Sequence, residues 1–185
     1  MEASIPMRRQ DRKISDPTAI EKILAGNQVC RIAFFDQDFP YIVPMNYGYQ
    51  WQEDQLFLYF HGAKEGRKLD LLRKNPNVAF EIDGQHRLLT GKEPCSYSYA
   101  YESLLGTGTA SVIEDLSEKE KLLARMMQQL TGQSFQNFPE KALLAVCLFQ
   151  IQVREISGKA HTGQPKAPAC PCGCSPSPFG SAKTH

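Results

Sequence analysis

Residues 59–69, with the sequence YFHGAKEGRKL, run from the end of a predicted strand through a glycine turn into a predicted helix. The first N–H groups of a helix have no partner within it and carry partial positive charge, so they attract anions. Three cations, Lys64, Arg67 and Lys68, lie at this helix start, where they are unfavourable unless an anion is present. The pattern allows two interpretations: a phosphate-binding turn, or a basic helix face that lies in water.

The segments on both sides of this turn predict antiparallel strands with helices inserted between them. Runs of β-branched and aromatic residues separated by polar turns favour strands, and capped apolar periodicities favour helices. The helices do not follow every strand, so the order favours a mainly β protein, an antiparallel barrel with peripheral helices, over a doubly wound parallel sheet. The predicted strands are residues 28–35, 39–51, 56–60, 78–83, 97–114 and 146–156, and the predicted helices are residues 17–26, 64–74 and 117–130, with Ser117 as the cap of the last helix.

Composition excludes several classes of protein. The chain has 185 residues, and its 21 Lys and Arg against 20 Asp and Glu give a net charge of +1. Nucleic-acid and anionic-membrane binders need a clear positive surplus, so neither partner is expected. No apolar run approaches the roughly 20 residues that span a bilayer, and residues 1–15 lack the apolar core of a secretory signal. We therefore expect a cytoplasmic protein whose body cysteines are free thiols, with Cys30 and Cys147 as small buried hydrophobes.

Residues 162–185 differ in composition from the body, residues 1–161. They hold five of the 12 prolines, no Val, Ile, Leu or Met, and three closely spaced cysteines, Cys170, Cys172 and Cys174. Such a segment cannot build a core and is predicted to be a flexible tail. The thiols allow a zinc or Cu(I) site, a redox-reactive patch or no role; their one-residue spacing is shorter than structural zinc sites use.

Two further segments bear on binding. Pro44 lies in the second predicted strand, where it removes a ladder donor and leaves neighbouring backbone groups open to a flat polar ligand; a simple edge strand is the alternative. In residues 96–108, alternating tyrosines indicate a half-wet sheet face. The sequence Gly106-Thr107-Gly108 lacks the third glycine and the following helix of a Rossmann fingerprint.

Four segments together resemble the pyridoxamine 5′-phosphate oxidase-like flavoproteins, most closely their nitroimidazole-resistance (Nim-type) branch. The resemblance covers about residues 7–161, and the four segments occur in the order that the strand and helix prediction requires. It implies a six-stranded split β-barrel that forms homodimers and binds FMN between the subunits. The segments are CRIAFFDQDFPYIVPMNYGY from Cys30, LYFHGAKEGRKLDLLRKNP from Leu58, YESLLGTGTASVIED from Tyr101 and EISGKAH from Glu155.

The resemblance also implies site residues. Arg67 and Lys68 match the family's phosphate-binding pair, with Lys64 as a helper. His61 matches the histidine beside the flavin, and Ser103 matches a short polar residue that reaches the FMN from the partner subunit. The strand that borders the flavin ring corresponds to Pro44, Met45, Asn46 and Tyr47, and the terminal segment near the site corresponds to Lys159 and His161.

One departure narrows the expected activity. The C-terminal tryptophan and arginine of true pyridoxamine phosphate oxidases are missing, and the only tryptophan is Trp51. The resemblance therefore implies an FMN-dependent oxidoreductase that reduces small nitroaromatic or quinone-like acceptors with electrons from a reduced nicotinamide. His61 is the candidate proton donor, because histidine exchanges protons near neutral pH, although it can equally hydrogen-bond the cofactor or the Gly62 turn. The alternative function is a non-catalytic carrier of FMN, haem or another planar cofactor.

Overall fold

Strands of one antiparallel sheet form most of the protein. The computed structural model describes residues 7–162, so of the predicted tail only Thr162 lies within the described residues. The strands are β1 (Lys13–Ile14), β2 (Val29–Phe34), β3 (Tyr41–Asn46), β4 (Gly48–Gln52), β5 (Gln55–Ala63), β6 (Asn77–Leu89), β7 (Ser98–Ile113) and β8 (Val146–His161), and the helices are α1 (Pro17–Gly26), α2 (Arg67–Lys74), α3 (Leu116–Thr131) and α4 (Glu140–Ala145).

The sheet curls into a barrel that stays open along one seam. Its strand order is β3-β2-β6-β7-β8-β5-β4, with β1 added beside β8. Within residues 7–162, no hydrogen-bonded ladder joins β3 to β4 or β5. The edges nevertheless approach, because the Cε of Met45 on β3 lies 3.8 Å from where a Cβ would stand on Gly62 of β5. The predicted fold class, a mainly antiparallel β protein with peripheral helices and a split barrel, is confirmed.

Apolar side chains of alternate strand positions fill the barrel. Ile32, Leu58 and Leu104 are fully buried, and the rings of Phe60 and Phe149 stack with centroids 5.1 Å apart across β5 and β8. A second cluster lies on the other face of β5, where Leu122 and Met126 of α3 pack on Tyr59 and Leu148. The faces of β5 therefore separate the barrel interior from the layer beneath α3. As predicted, Cys30 and Cys147 are buried free thiols.

Several element boundaries differ from the prediction. The long second strand divides at Tyr47, and with the short β1 this gives eight strands in the described part of the chain. The predicted end of the fourth strand at residue 83 is wrong, because β6 continues through an irregularity between Gly84 and Arg87 to Leu89. The predicted Ser117 cap is also wrong: the Asp115 side chain accepts from the N–H of Glu118 at 2.8 Å and starts α3. Helix α4 lacked a sequence signal, since it has six residues.

None of the helices described here is long and apolar enough to cross a membrane.

Candidate functional site

Helix α2 starts later than the sequence predicts, and a glycine makes the turn before it. Gly66 has a φ of 128°, a region that side chains other than glycine rarely adopt. Its carbonyl accepts from the N–H groups of Leu69 and Asp70, while no side chain caps the helix. Arg67 and Lys68 are therefore the first helical residues, with free N–H groups beside them. Lys64 lies in the exposed turn before the helix.

The Lys68 side chain extends back over the end of β5. Its Nζ lies 3.2 Å and its Cε 3.3 Å from where a Cβ would stand on Gly62. The same point is 3.8 Å from the Cε of Met45, so the lysine lies at the open seam between β3 and β5. No carboxylate pairs with Lys68 in the described residues. A half-buried, unpaired ammonium at a helix start is a chemical environment that an anion would complete.

The Arg67 side chain extends away from Lys68, toward Asp36 and Tyr41. Its guanidinium forms an ion pair with Asp36 and lies 4.8 Å from the ring centroid of Tyr41. The Arg67 side chain is 64% exposed, so the ion pair contributes little to stability. The pair and the ring instead hold the guanidinium beside the start of α2, where it can rotate onto an anion.

His61 does not share the seam with Lys68. Successive residues of a strand point to opposite faces, so His61 lies on the α3 face while Gly62 faces the barrel interior. His61 is exposed and pairs across the ladder with Leu148. Within residues 7–162 its ring has no hydrogen-bond partner. The structure thus leaves the imidazole available to a ligand but on a different face from the Lys68 ammonium.

Side chains of β3, the predicted ring-binding strand, also alternate between the two faces of the sheet. Pro44 and Asn46 are exposed on the outer face, and the Asn46 amide donates to the Gln28 carbonyl at 3.0 Å. Met45 points to the seam. Tyr47 is buried, and its hydroxyl donates to the carbonyl of Leu24 at 2.8 Å. The ring belongs to the core, so only the backbone of Tyr47 can meet a ligand, and burial raises the pKa of its hydroxyl.

Ser103 and Lys159 form a second group on β7 and β8. They are direct cross-strand partners, and the Ser103 hydroxyl donates to the Lys159 carbonyl at 3.5 Å. The Lys159 Nζ lies 6.0 Å from the ring centroid of Tyr101, which itself pairs with His161. Cross-strand partners share a face, so Tyr101, Ser103 and Lys159 lie on one side of the sheet.

The two groups lie at opposite ends of β8. Val146, at the start of β8, pairs with Ala63 just before Lys64, whereas Lys159 lies near the end of the strand. Measured along the strand at ~3.3 Å per residue, the path between them is on the order of 40 Å. On the other side of the barrel, β6 and β2 lie between Ser103 on β7 and the seam edge β3. Within residues 7–162, no hydrogen bond or ion pair joins Ser103 or Lys159 to the α2 turn.

Three features lack a clear signal in the sequence. Lys119 of α3 is only 4% exposed, and its spacing with Leu122 and Met126 is the one signal of its burial. The Arg12 guanidinium donates to the Tyr101 hydroxyl at 3.4 Å, and its Nε is buried without a partner among residues 7–162. A groove of about 980 Å³ lies on the outer face of the sheet beside this pair, and none of the predicted site residues lines it; its walls include Met7, Gln10, Lys13, Leu105, Thr107 and Ser157.

Comparisons with known proteins agree with this fold. A family model described as pyridoxamine 5′-phosphate oxidase matches residues 16–160. A solved structure of a candidate 5-nitroimidazole antibiotic resistance protein from Bacteroides thetaiotaomicron is 32% identical, with a TM-score of 0.69, covering 80% of this chain and 86% of that one. No curated protein matches the chain.

Two other solved structures share the fold at lower identity. A flavocytochrome from Azotobacter vinelandii is 18% identical, with a TM-score of 0.76, and the match covers 91% of this chain and 78% of that one. An FAD and haem binding protein from Mycobacterium smegmatis is 17% identical, with a TM-score of 0.72, covering 84% and 76%. At these identities the likeness shows the fold alone.

Proposed function

Because this chain belongs to the pyridoxamine 5′-phosphate oxidase family, we propose that it binds FMN and transfers electrons from a reduced nicotinamide to small oxidised acceptors, nitroaromatic or quinone-like. The observation that carries the proposal is the unpaired Lys68 ammonium over Gly62 at the start of α2. A bound flavin would supply the hydride and electron transfer, while the protein supplies binding, orientation and access.

The residues at the α2 turn fit the phosphate of such a cofactor. Lys68 is held by packing rather than by an acid, because Gly62 leaves space for its amine where any side chain would intrude. Arg67 lies on the adjacent helical position, with a planar guanidinium suited to two phosphate oxygens. The first N–H groups of α2 add donors that no side chain caps. Lys64, in the turn, adds a fourth positive contribution.

The ring of the cofactor would lie along the outer part of β3. β3 is an edge strand, so alternate backbone N–H and carbonyl groups along it have no ladder partner, and Pro44 lacks an N–H altogether. Tyr47 follows as the last backbone position before β4. These groups can hydrogen-bond a planar heterocycle without side-chain chemistry, which is the arrangement that the family resemblance implies.

We further propose a homodimer that completes each site. Ser103 and Lys159 lie at the far end of β8 from the α2 turn of their own chain. A second copy placed in the opposite direction would bring this group to the first chain's α2 turn, and one symmetric contact would then complete two equal sites. His61, exposed and without a partner in the described residues, would donate a proton to the acceptor or hold the cofactor.

Absorbance and anaerobic reduction test the proposed function. Protein purified with FMN should show flavin bands near roughly 370 and 450 nm, and these should bleach on mixing with NADH or NADPH. Bands that persist with both donors, without turnover of any acceptor, would contradict the reductase function and favour a carrier. No uptake of FMN at saturation would contradict both.

A further inference from the structure

The N-terminal segment places cations on the same sheet face as Tyr101 and Lys159. β1 pairs with β8 so that Lys13 lies opposite Lys159. The preceding turn places the Arg12 Nη1 3.4 Å from the Tyr101 hydroxyl. The acid of this segment, Asp11, is engaged by Arg9 at 2.7 Å. Positive charge therefore exceeds negative charge at this corner of the sheet.

The guanidinium of the half-buried Arg12 has one nitrogen without an acceptor. Its Nε is buried and has no hydrogen-bond partner within residues 7–162. The Tyr101 hydroxyl is a neutral acceptor at 3.4 Å, longer than a charge-assisted hydrogen bond. Leaving a buried charged donor unsatisfied is costly, so a missing acceptor is the simplest explanation.

Tyr101 lies between two cations. Its hydroxyl accepts from Arg12, and the Lys159 Nζ lies 6.0 Å from its ring centroid. Partial burial would raise the pKa of Tyr101, but these two cations lower it overall. An anion bound here would meet both cations.

The neighbouring groove gives the size of the ligand. Its volume of about 980 Å³ lies at the upper end of small-molecule sites. Lys13 lines it and connects it to the Arg12–Tyr101 pair, and Arg154 adds a second cation against one acid, Glu155. A groove of this size with cations at one end fits an extended molecule that carries phosphate groups.

We propose that Arg12, Tyr101 and Lys13 bind the phosphate groups of a reduced nicotinamide dinucleotide, whose adenosine half lies in the groove and whose nicotinamide ring extends the other way, past Lys159. This inference rests on the proposed function, because it assigns the electron donor a place on the chain. A Rossmann loop cannot hold these phosphates, because Gly106 and Gly108 lie within β7, where added Cβ atoms would lie 2.7 and 2.5 Å from β8 carbonyl oxygens. Side-chain cations replace the loop. Lys159 lies between the Arg12–Tyr101 pair and Ser103. A donor bound there would therefore lie beside the flavin that Ser103 and Lys159 share with the partner subunit.

Stopped-flow reduction of the FMN-loaded protein tests the inference. The dissociation constant of NADPH, taken from the dependence of the reduction rate on its concentration, is compared for the wild type, Arg12→Gln and Arg8→Gln. The control removes the same charge from the same segment, at an exposed arginine, and leaves the Arg9–Asp11 pair intact. We expect at least a tenfold weaker NADPH complex for Arg12→Gln, less than about a twofold change for Arg8→Gln, and equal flavin content in all three.

Three results would overturn the inference: equal effects of the two variants, loss of flavin from Arg12→Gln, or a changed mass in solution for Arg12→Gln. The last would show that the groove is a contact between subunits. A second measurement separates the inference from the proposed function. The ring signal of Tyr101 in tyrosine-labelled protein, assigned with Tyr101→Phe, should move on adding NADP⁺ to the wild type but not to Arg12→Gln.

If the flavin is reduced by neither nicotinamide but NADP⁺ still moves the Tyr101 signal, the reductase function fails and the binding site stands. If NADP⁺ leaves the signal unchanged in the wild type, the binding site fails whether or not the flavin is reduced.

Discussion

The amine of Lys68 lies 3.2 Å from the point where a Cβ would stand on Gly62. The contact joins the first turn of α2 to the last residues of β5. It lies at the seam between β3 and β5, where the barrel is open. It also explains why a glycine stands between His61 and Ala63, since a side chain there would meet the lysine. The seam, the helix start and the proposed phosphate site are therefore one structural feature.

Replacing Gly62 with alanine should displace Lys68 without unfolding the protein. The new methyl would lie 3.2 Å from Nζ and 3.3 Å from Cε, closer than ordinary contact, but the far end of a lysine can move. We expect FMN affinity to fall by about threefold to tenfold, and the free energy of unfolding to change by less than about 1 kcal/mol. Flavin fluorescence titration and urea unfolding measure the two quantities.

A double-mutant cycle provides the control for Gly62→Ala. In a Lys68→Ala background the added methyl has no amine to displace, so it should leave FMN affinity unchanged. An equal loss in both backgrounds would mean that Gly62 affects the site by another route.

Complementation between two defective chains tests the shared site. One chain carries Arg67→Ala and Lys68→Ala, and the other carries Ser103→Ala and Lys159→Ala. Each homodimer should bind FMN poorly, whereas a heterodimer selected with two affinity tags has one intact site and should hold about half the wild-type flavin. A heterodimer that holds no more flavin than either homodimer contradicts the proposed arrangement.

The Glu21 side chain connects α1 to β4, so its removal should lower the stability of the protein. Its carboxylate accepts from the Tyr49 hydroxyl and from the Trp51 indole N–H, each at 2.7 Å. Glu21→Ala leaves both donors without an acceptor and should cost about 1–3 kcal/mol of stability. Trp51 is the only tryptophan, so the fluorescence of the protein reports on this side chain alone. Its emission maximum should move to longer wavelength, because the indole N–H loses Glu21 and meets water instead. The control is Lys22→Ala, at the exposed neighbouring position. An equal loss of stability in Lys22→Ala would contradict the role given to the Glu21 hydrogen bonds.

The titration of His161 should respond to Arg12. Burial and the charges of Arg12 and Arg9 lower the pKa of His161, so the fold favours its neutral form. Its contribution to stability is therefore present above the ordinary histidine pKa of about 6.5 and is lost as the pH falls through that value and below. Arg12→Gln should raise the pKa toward that value, as measured by NMR titration of the ring. An unchanged His161 pKa would mean that burial alone sets the shift.

The sequence predicted the parts of this fold that depend on local patterns. Runs of β-branched and aromatic residues placed the strands, and the glycine turn after the third predicted strand placed the start of α2 at Lys64, three residues before its observed start at Arg67. Tyr47 was placed inside a strand, because no local pattern shows that its ring enters the core and bonds Leu24. Strand boundaries of this kind depend on tertiary packing.

The sequence was less informative about the site. It identified the cations of the α2 turn, which are neighbours in the chain, but not the Asp36 that pairs with Arg67. It missed the contact between Arg12 and Tyr101, because 89 residues separate them and only the pairing of β1 with β8 brings them together. It also missed Lys119, since a lysine within an apolar periodicity is ordinarily exposed.

The phosphate preference of the bound flavin tests the central claim most directly. Affinities for FMN and for riboflavin, which lacks the phosphate, are measured for the wild type, for Arg67→Ala with Lys68→Ala, and for Arg73→Ala at the other end of α2. We predict that the wild type and Arg73→Ala bind FMN at least tenfold more tightly than riboflavin, about 1.4 kcal/mol, and that the double variant loses this preference. Equal wild-type affinity for the two flavins, or a preference that survives in the double variant, would contradict the account.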